Sequence, residues 1–459
     1  MKKSLILAVA FLVSVPLAFS SIVTNTNQSI GYYRLLARNA SLDIDAVYYN
    51  PAGLTRLQDG FHVAFHNQII RQDKTIVNDF AYLNNHTYVG EVRVPLFPDF
   101  YAVYKKGSLA LSFGFGPNAG GGSADFATGL PSFETGFATL PVLLSSMGLP
   151  TTKYGADIAF KGSSIYLGFQ GNVSYAINEM FSAAFGLRYI SAKNTYEGSI
   201  KNVAVNPLMA PLGLSGTMIP AGQLFAMLGQ PLYAALVANR AVDAEQTGTG
   251  ITPILSILAT PMEGLNLTAR YEFNTKLVLT NKTTKDDVGL FPDQAKERAD
   301  IPGFLALGAS YAIMPQLRAH ATFNTYFDKS AIWGGQDASG NVEFNRADDV
   351  DKNTYELALG FEYDLFEALT VSAGYLMTRY GVTAAYQSDF DHILSADTVG
   401  FGACYRLSKK LSIEGGLINT FYKDDSKLIN YGAPFGSFSE TYKRTTLGFG
   451  FGVNYSFNN

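Results

Sequence analysis

Side chains able to do chemistry are few in this chain, and they are scattered. Its five histidines are His62, His66, His86, His320 and His392, and Cys404 is its single cysteine. His62 and His66 fall four apart in a segment that alternates like a strand. That spacing sets them about 13 Å apart on one face, too far to share a metal ion. His320 stands beside Arg318, with no serine or carboxylate arranged with it in the sequence. A lone cysteine excludes an intramolecular disulfide and a cysteine-rich metal site, and Cys404 is given no role. No catalytic set, metal site or cofactor is therefore expected. What remains is a series of charges at inward strand positions: Arg188, Arg270, Glu272, Arg318, Glu356, Glu362, Glu414 and Arg444. An unpaired charge away from water is costly, so most of these should pair with one another. Arg188 and Arg318 are singled out as able to meet the carboxylate of a ligand.

The elements that must position these charges alternate strictly. From Leu447 to Phe457 the odd positions are Leu, Phe, Phe, Val, Tyr and Phe, and the even ones are Gly, Gly, Gly, Asn and Ser. Successive strand side chains point to opposite faces, so one face is wholly apolar and the other small or polar. A wall with lipid outside and water or a plug inside demands this pattern. It recurs at Leu109–Phe115, Ile165–Phe169, Phe181–Tyr189, Tyr355–Tyr363 and Leu369–Met377. Such segments number about fourteen, beginning near Phe61. Short links fall near 105–107, 177–179, 260–264, 313–316, 364–368 and 406–410. Long links alternate with them, at 71–98, 117–162, 194–247, 281–300, 328–351, 380–395 and 423–440. The expected fold is all-β, a transmembrane antiparallel β-barrel of about 14 strands. Its short turns are periplasmic and its long loops external, because lipid permits no open sheet edge.

Composition agrees. Only 16% of residues are charged, against about 25% in an ordinary globular chain. There are 44 glycines, 27 tyrosines and 33 phenylalanines but one tryptophan, and the mean hydropathy is +0.08. Apolar residues are thus plentiful but dispersed. The segment 202–239 carries no charge, yet Pro207, Pro211, Pro220 and Pro231 bar it from forming one spanning helix. A net charge of −4 without a basic block excludes nucleic acid as a partner. Lys2 and Lys3, the apolar run Leu5–Leu17, and the small residues Ala18 and Ser20 predict a signal peptide over 1–20, cleaved after Ser20.

Two external loops are apolar where a porin's would be polar. Loop 117–162 holds Phe126, Phe133, Phe137, Leu140 and Leu144, with Glu134 the only charge between Asp125 and Lys153. Loop 194–247 holds Leu224, Phe225, Leu228, Leu232 and Leu236, whose i,i+4 spacing suits short helices. Extensive apolar surface outside a membrane marks an interaction site. Phe133, Phe137, Leu224, Phe225, Leu228 and Leu232 are accordingly expected to collect hydrophobic molecules; alternatively, the two loops pack on each other as a lid. Before the barrel (60–459), residues 21–59 do not alternate. Gln28–Arg38 reads as a short helix and Asn50-Pro51-Ala52-Gly53 as a turn. The segment has two homes, a periplasmic tail or a plug in the lumen. A plug is reasonable because about fourteen strands enclose more space than wall side chains fill.

The stretch Ser41–Leu57, SLDIDAVYYNPAGLTRL, closely resembles the N-terminal hatch signature of the FadL family of outer-membrane transporters for hydrophobic compounds. Asp45, Tyr48, Tyr49, Asn50, Pro51, Ala52, Gly53, Leu54 and Leu57 match in order. The resemblance implies a fourteen-stranded barrel with a hatch over 21–59. It also implies passive uptake of long-chain fatty acids, aromatic hydrocarbons or similar molecules, with Asn50, Pro51 and Ala52 in substrate binding. Capture at the external loops, binding inside the barrel and lateral release through a kinked third strand belong to the same expectation. Gly116 and Pro117 suit that kink, since proline lacks a ladder donor and glycine packs poorly. Implied partners are membrane lipid and lipopolysaccharide, a hydrophobic small molecule and the outer-membrane assembly machinery, with the protein a monomer in the Gram-negative outer membrane. Asn458 and Asn459 follow Phe457, whereas a terminal aromatic is the usual assembly signal. The competing function is a general porin, which needs polar loops and an open water channel. A barrel enzyme would need a serine, a histidine and a polar partner at one level.

Overall fold

The alternating segments pair in sequence order and close on themselves. The computed structural model describes Ile22 and residues 29–457 apart from 338, 343 and 344; the predicted signal peptide lies outside the described residues. Fourteen antiparallel strands form the barrel. They are β1 (Gly60–Asn78), β2 (Thr87–Lys106), β3 (Leu109–Phe126), β4 (Tyr154–Ala176), β5 (Phe181–Val205), β6 (Arg240–Met262), β7 (Leu265–Glu272 with Val278–Asp286) and β8 (Lys296–Ala299 with Phe304–Met314). The circuit continues with β9 (Leu317–Tyr326 with Trp333–Gln336), β10 (Val350–Phe366), β11 (Leu369–Val382), β12 (Ala396–Arg406), β13 (Leu411–Tyr422 with Asp425–Asn430) and β14 (Ser437–Phe457). β14 returns to β1 in register from Phe61↔Phe457 to Asn78↔Glu440, so no edge is left unpaired. Outward residues such as Val173, Phe185, Leu255, Leu359, Phe401 and Phe451 are exposed together as an apolar belt.

The strands run further than their alternation does. β1 continues to Asn78, β5 to Val205 and β13 to Asn430, so the expected long links at 71–98, 194–247 and 423–440 shrink to 79–86, 206–239 and 431–436. Loop 117–162 likewise shrinks to 127–153. The physical reason is that alternation reports lipid on one face. Above the membrane both faces meet water or loops, while the backbone ladder still rewards pairing.

An N-terminal segment packs inside the barrel. It comprises α1 (Ile30–Leu35), α2 (Ala46–Tyr49) and a 3-10 helix (Pro51–Arg56). The predicted turn at Asn50–Gly53 is thus the start of that 3-10 helix, with Pro51 at its first position, where a missing N–H costs nothing. The wall makes room with glycines. Gly360, Gly374, Gly400, Gly416, Gly448 and Gly450 lie on β10 to β14, and a Cβ on any of them would strike Ile30, Tyr33, Leu35 or Leu36. At Gly374 it would collide with the Leu35 carbonyl. Replacing Gly374 by Val should therefore destabilise the folded protein by about 2 kcal/mol, the cost of overpacking. Gly171→Ala, where a new Cβ meets nothing closer than 3.9 Å, should stay within about 0.5 kcal/mol. Urea unfolding followed by intrinsic fluorescence checks both.

Candidate functional site

Polar side chains hold the N-terminal segment in its seat. Ser29 caps α1, its hydroxyl accepting from Tyr32 N at 3.0 Å and donating to Asp45 at 2.6 Å. Arg34 reaches across the lumen. Its Nε donates to Glu414 at 2.7 Å and its Nη1 to Glu362 at 3.3 Å and Ser372 at 2.5 Å. Arg38 turns back to Asp45 with bonds of 3.0 and 2.6 Å. Asn50 accepts from Ser256 at 3.2 Å, Ala52 N donates to the same hydroxyl at 3.3 Å, and the Pro51 carbonyl accepts from Ser174 at 2.7 Å. Asn50, Pro51 and Ala52 are buried, bonded to β4 and β6 and to their own segment, where Asn50 Nδ2 donates to the Ser41 carbonyl and the Ala52 carbonyl accepts from Thr55. Their neighbours Tyr48 and Tyr49, not they, face the central cavity.

That cavity has a volume of about 140 Å³ and lies between the N-terminal segment and β7 to β13. Tyr32 and Tyr49 stack with ring centroids 5.9 Å apart, and Leu36, Phe304, Leu376 and Ile418 add apolar wall. The polar lining includes Arg270, Asn324 and Glu356. Glu356 accepts from Asn324 at 2.8 Å, Thr378 at 3.1 Å and Tyr326 at 3.2 Å. The two arginines singled out in the sequence are far from equivalent. Arg188 is 1% exposed and is held by Glu272 through bonds of 2.6 and 3.0 Å, with Tyr48 4.4 Å beneath it. Arg318 lies near the opposite, short-turn end, bonded to Asp364 at 2.8 and 3.2 Å. The structure does not bring them together. Arg270, which lines the cavity with Arg38, is in the sequence only one of several inward charges. His320, expected to stand without a carboxylate, lies 3.2 Å from Glu362; barrel closure brings β9 beside β10.

The ladder between β2 and β3 is interrupted, as is that between β6 and β7 at residues 248–253 and 273–279. β2 pairs with β3 from Lys106↔Leu109 to Phe100↔Phe115, and again from Val92↔Ala124. Residues 93–99 and 116–123 make no ladder with each other, though each keeps its other neighbour. Gly116 and Pro117 begin the unpaired stretch, so they sit within β3 instead of ending it. Across from them are Pro95 and Pro98, which the expected loop 71–98 had hidden. Two prolines in one strand were the available signal, because proline is confined to edges and bulges. Asn67 bridges this irregular stretch of β2, donating to the Pro95 carbonyl at 3.2 Å and accepting from Phe97 N at 3.1 Å. Asn118 of β3 accepts from Tyr48 at 3.1 Å, which joins the interruption to the cavity lining.

The apolar loops meet above. Helices α3 (Pro131–Ala138), α4 (Leu140–Ser146), α5 (Ala221–Met227) and α6 (Pro231–Leu236) contribute to one cluster. Phe137, Leu224 and Phe225 are buried in it, Phe133 and Leu228 are partly buried, and Leu232 is exposed. The two loops thus pack on each other, as the lid arrangement requires, and leave Met227 and Leu232 outward. Glu134 is neither exposed nor free: Tyr88 and Tyr154 donate to it at 2.5 and 2.6 Å. Asp389 ties the next loop in, accepting from Ser132 N at 2.8 Å, and burial holds its carboxyl above the ordinary carboxylate range.

Solved structures share this architecture. A Pseudomonas aeruginosa FadL homologue matches with a TM-score of 0.67 and 14% identity, over 96% of this chain and 100% of its own. The P. putida toluene transporter TodX matches at 0.59 and 14%, over 91% and 95%. The Ralstonia pickettii toluene transporter TbuX matches at 0.55 and 14%, over 91% and 94%. No family model matches the sequence, and no curated protein does. The chain therefore has the fold of the FadL homologues.

Proposed function

We propose that this barrel carries small hydrophobic compounds passively across the outer membrane of a Gram-negative bacterium. Ligand gathers at the apolar loops, rests in the central cavity and leaves sideways between β2 and β3 when the N-terminal segment, acting as a hatch, shifts. The observation that carries this reading is the Tyr48–Asn118 hydrogen bond, which couples the filled lumen to the one place where β2 and β3 stop pairing. The fold shared with two toluene transporters supports it. The protein works as a monomer among lipid and lipopolysaccharide, placed there by the outer-membrane assembly machinery, and performs no catalysis. A general porin would need an open water path, and the N-terminal segment stands in its way.

Uptake of labelled toluene and labelled oleate by cells with and without the protein tests the reading. At least one label should enter severalfold faster with the protein present. A large, steady ion conductance of the purified protein in planar bilayers, with equal uptake in both strains, would replace the carrier with a porin.

A further inference from the structure

The central cavity contains a cation with unused donors. Arg270 is 3% exposed, yet its Nε and Nη1 have no hydrogen-bond partner among the described residues. The nearest carboxylate oxygen, on Glu272, is 3.5 Å away, and Glu272 is already held bidentately by Arg188. The guanidinium is flanked by two rings, with Tyr48 at 5.4 Å and Phe304 at 5.2 Å. Buried donors without acceptors are costly, and a ligand oxygen that met them would remove that cost. A cavity of roughly 150 Å³ lined by apolar groups holds one benzene ring, and this one, at about 140 Å³, is of that size. Charge decides the remaining question. Glu356 lines the same cavity, and Arg38, the other cation there, is taken by Asp43 and Asp45. An anionic ligand would face that carboxyl and also Glu272 beside Arg270, whereas a neutral oxygen brings no charge to oppose them.

We propose that the central cavity selects a neutral, single-ring aromatic molecule bearing a hydroxyl or carbonyl oxygen, and that Arg270 is the residue that reads that oxygen. This rests on the carrier reading above and narrows its substrate class.

The test uses the full-length protein in lipid nanodiscs, with 4-fluorophenol, 4-fluorotoluene and a fluorinated palmitate as probes. Fluorine NMR line widths are corrected against empty nanodiscs for partition into lipid. The phenol should bind about tenfold or more tightly than the toluene, the worth of one hydrogen bond to a charged group, and more tightly than the palmitate. In Arg270→Met the preference should fall to near unity while the toluene still binds. Arg270→Lys, which keeps the charge but not the planar fork, should retain part of it. Equal binding of phenol and toluene by the unaltered protein overturns the proposal without any variant. So does a preference that survives Arg270→Met, or palmitate binding as tightly as the phenol. If no probe binds above the empty nanodiscs, the carrier reading falls together with this one. Toluene binding without a phenol preference overturns this proposal alone.

Discussion

Replacing Arg34 by Met should turn a closed barrel into a conducting one. Arg34 is the cation that joins α1 to three wall strands at once, through Glu362 of β10, Ser372 of β11 and Glu414 of β13. All of these side chains are nearly excluded from solvent. Removing the guanidinium leaves Glu414 with Asn454, and Glu362 with His320 and Arg318, as partners. Breaking a buried pair from one side costs about 3–5 kcal/mol. The least costly relief is for α1 to leave its seat and let water reach Glu362 and Glu414. Single-channel recordings in planar bilayers should then show steady openings absent from the unaltered protein, with the barrel still folded by gel mobility and circular dichroism. A silent Arg34→Met barrel of normal stability would mean that the tether is dispensable.

Closing the unpaired stretch between β2 and β3 should abolish transport and leave the barrel intact. A Cβ built on Gly122 would lie 4.0 Å from that of Val94, inside the window of about 3.5–4.5 Å that a disulfide spans. Val94→Cys with Gly122→Cys, in a Cys404→Ser background, would therefore stitch the two strands where no ladder does. Gly122 has a φ of 80°, so the single Gly122→Cys protein serves as the control for backbone strain. Under oxidising conditions, uptake of whichever label the carrier prefers should fall about tenfold or more, and reduction should restore it. Full uptake through the stitched barrel would show that ligand does not leave through this wall.

The barrel was legible in the sequence because lipid imposes a rule on every second residue. Leu447 to Phe457 displays that rule unaided, and β14 closes the circle with it. The ends of the strands were not legible. Residues 71–78 and 425–430 pair well but alternate poorly, since no apolar solvent bathes one side of them. The site was legible only in its ingredients. Arg188, Arg270, Glu272 and Glu356 could all be placed inside by register. Which of them pair depends on neighbours fixed by tilt and closure, as when Arg34 finds Glu414 380 residues away. Glu134 shows the same limit. In the sequence it is the only charge between Asp125 and Lys153, and only the fold reveals the two tyrosines that hold it. The Asn50–Ala52 signature lies in the segment that packs inside the barrel, while the tyrosines just before it line the cavity.

The glycine-lined seat of α1 has a consequence for the order of events in time. The seat exists only when β10 through β14 stand side by side, and these are the last strands to be synthesised. α1 itself is six residues long, far below the length at which a helix persists alone in water. The segment that is made first must therefore take its shape last. Until the seam between β1 and β14 has zipped, it trails as an unstructured leader, and it folds by insertion into a finished mould.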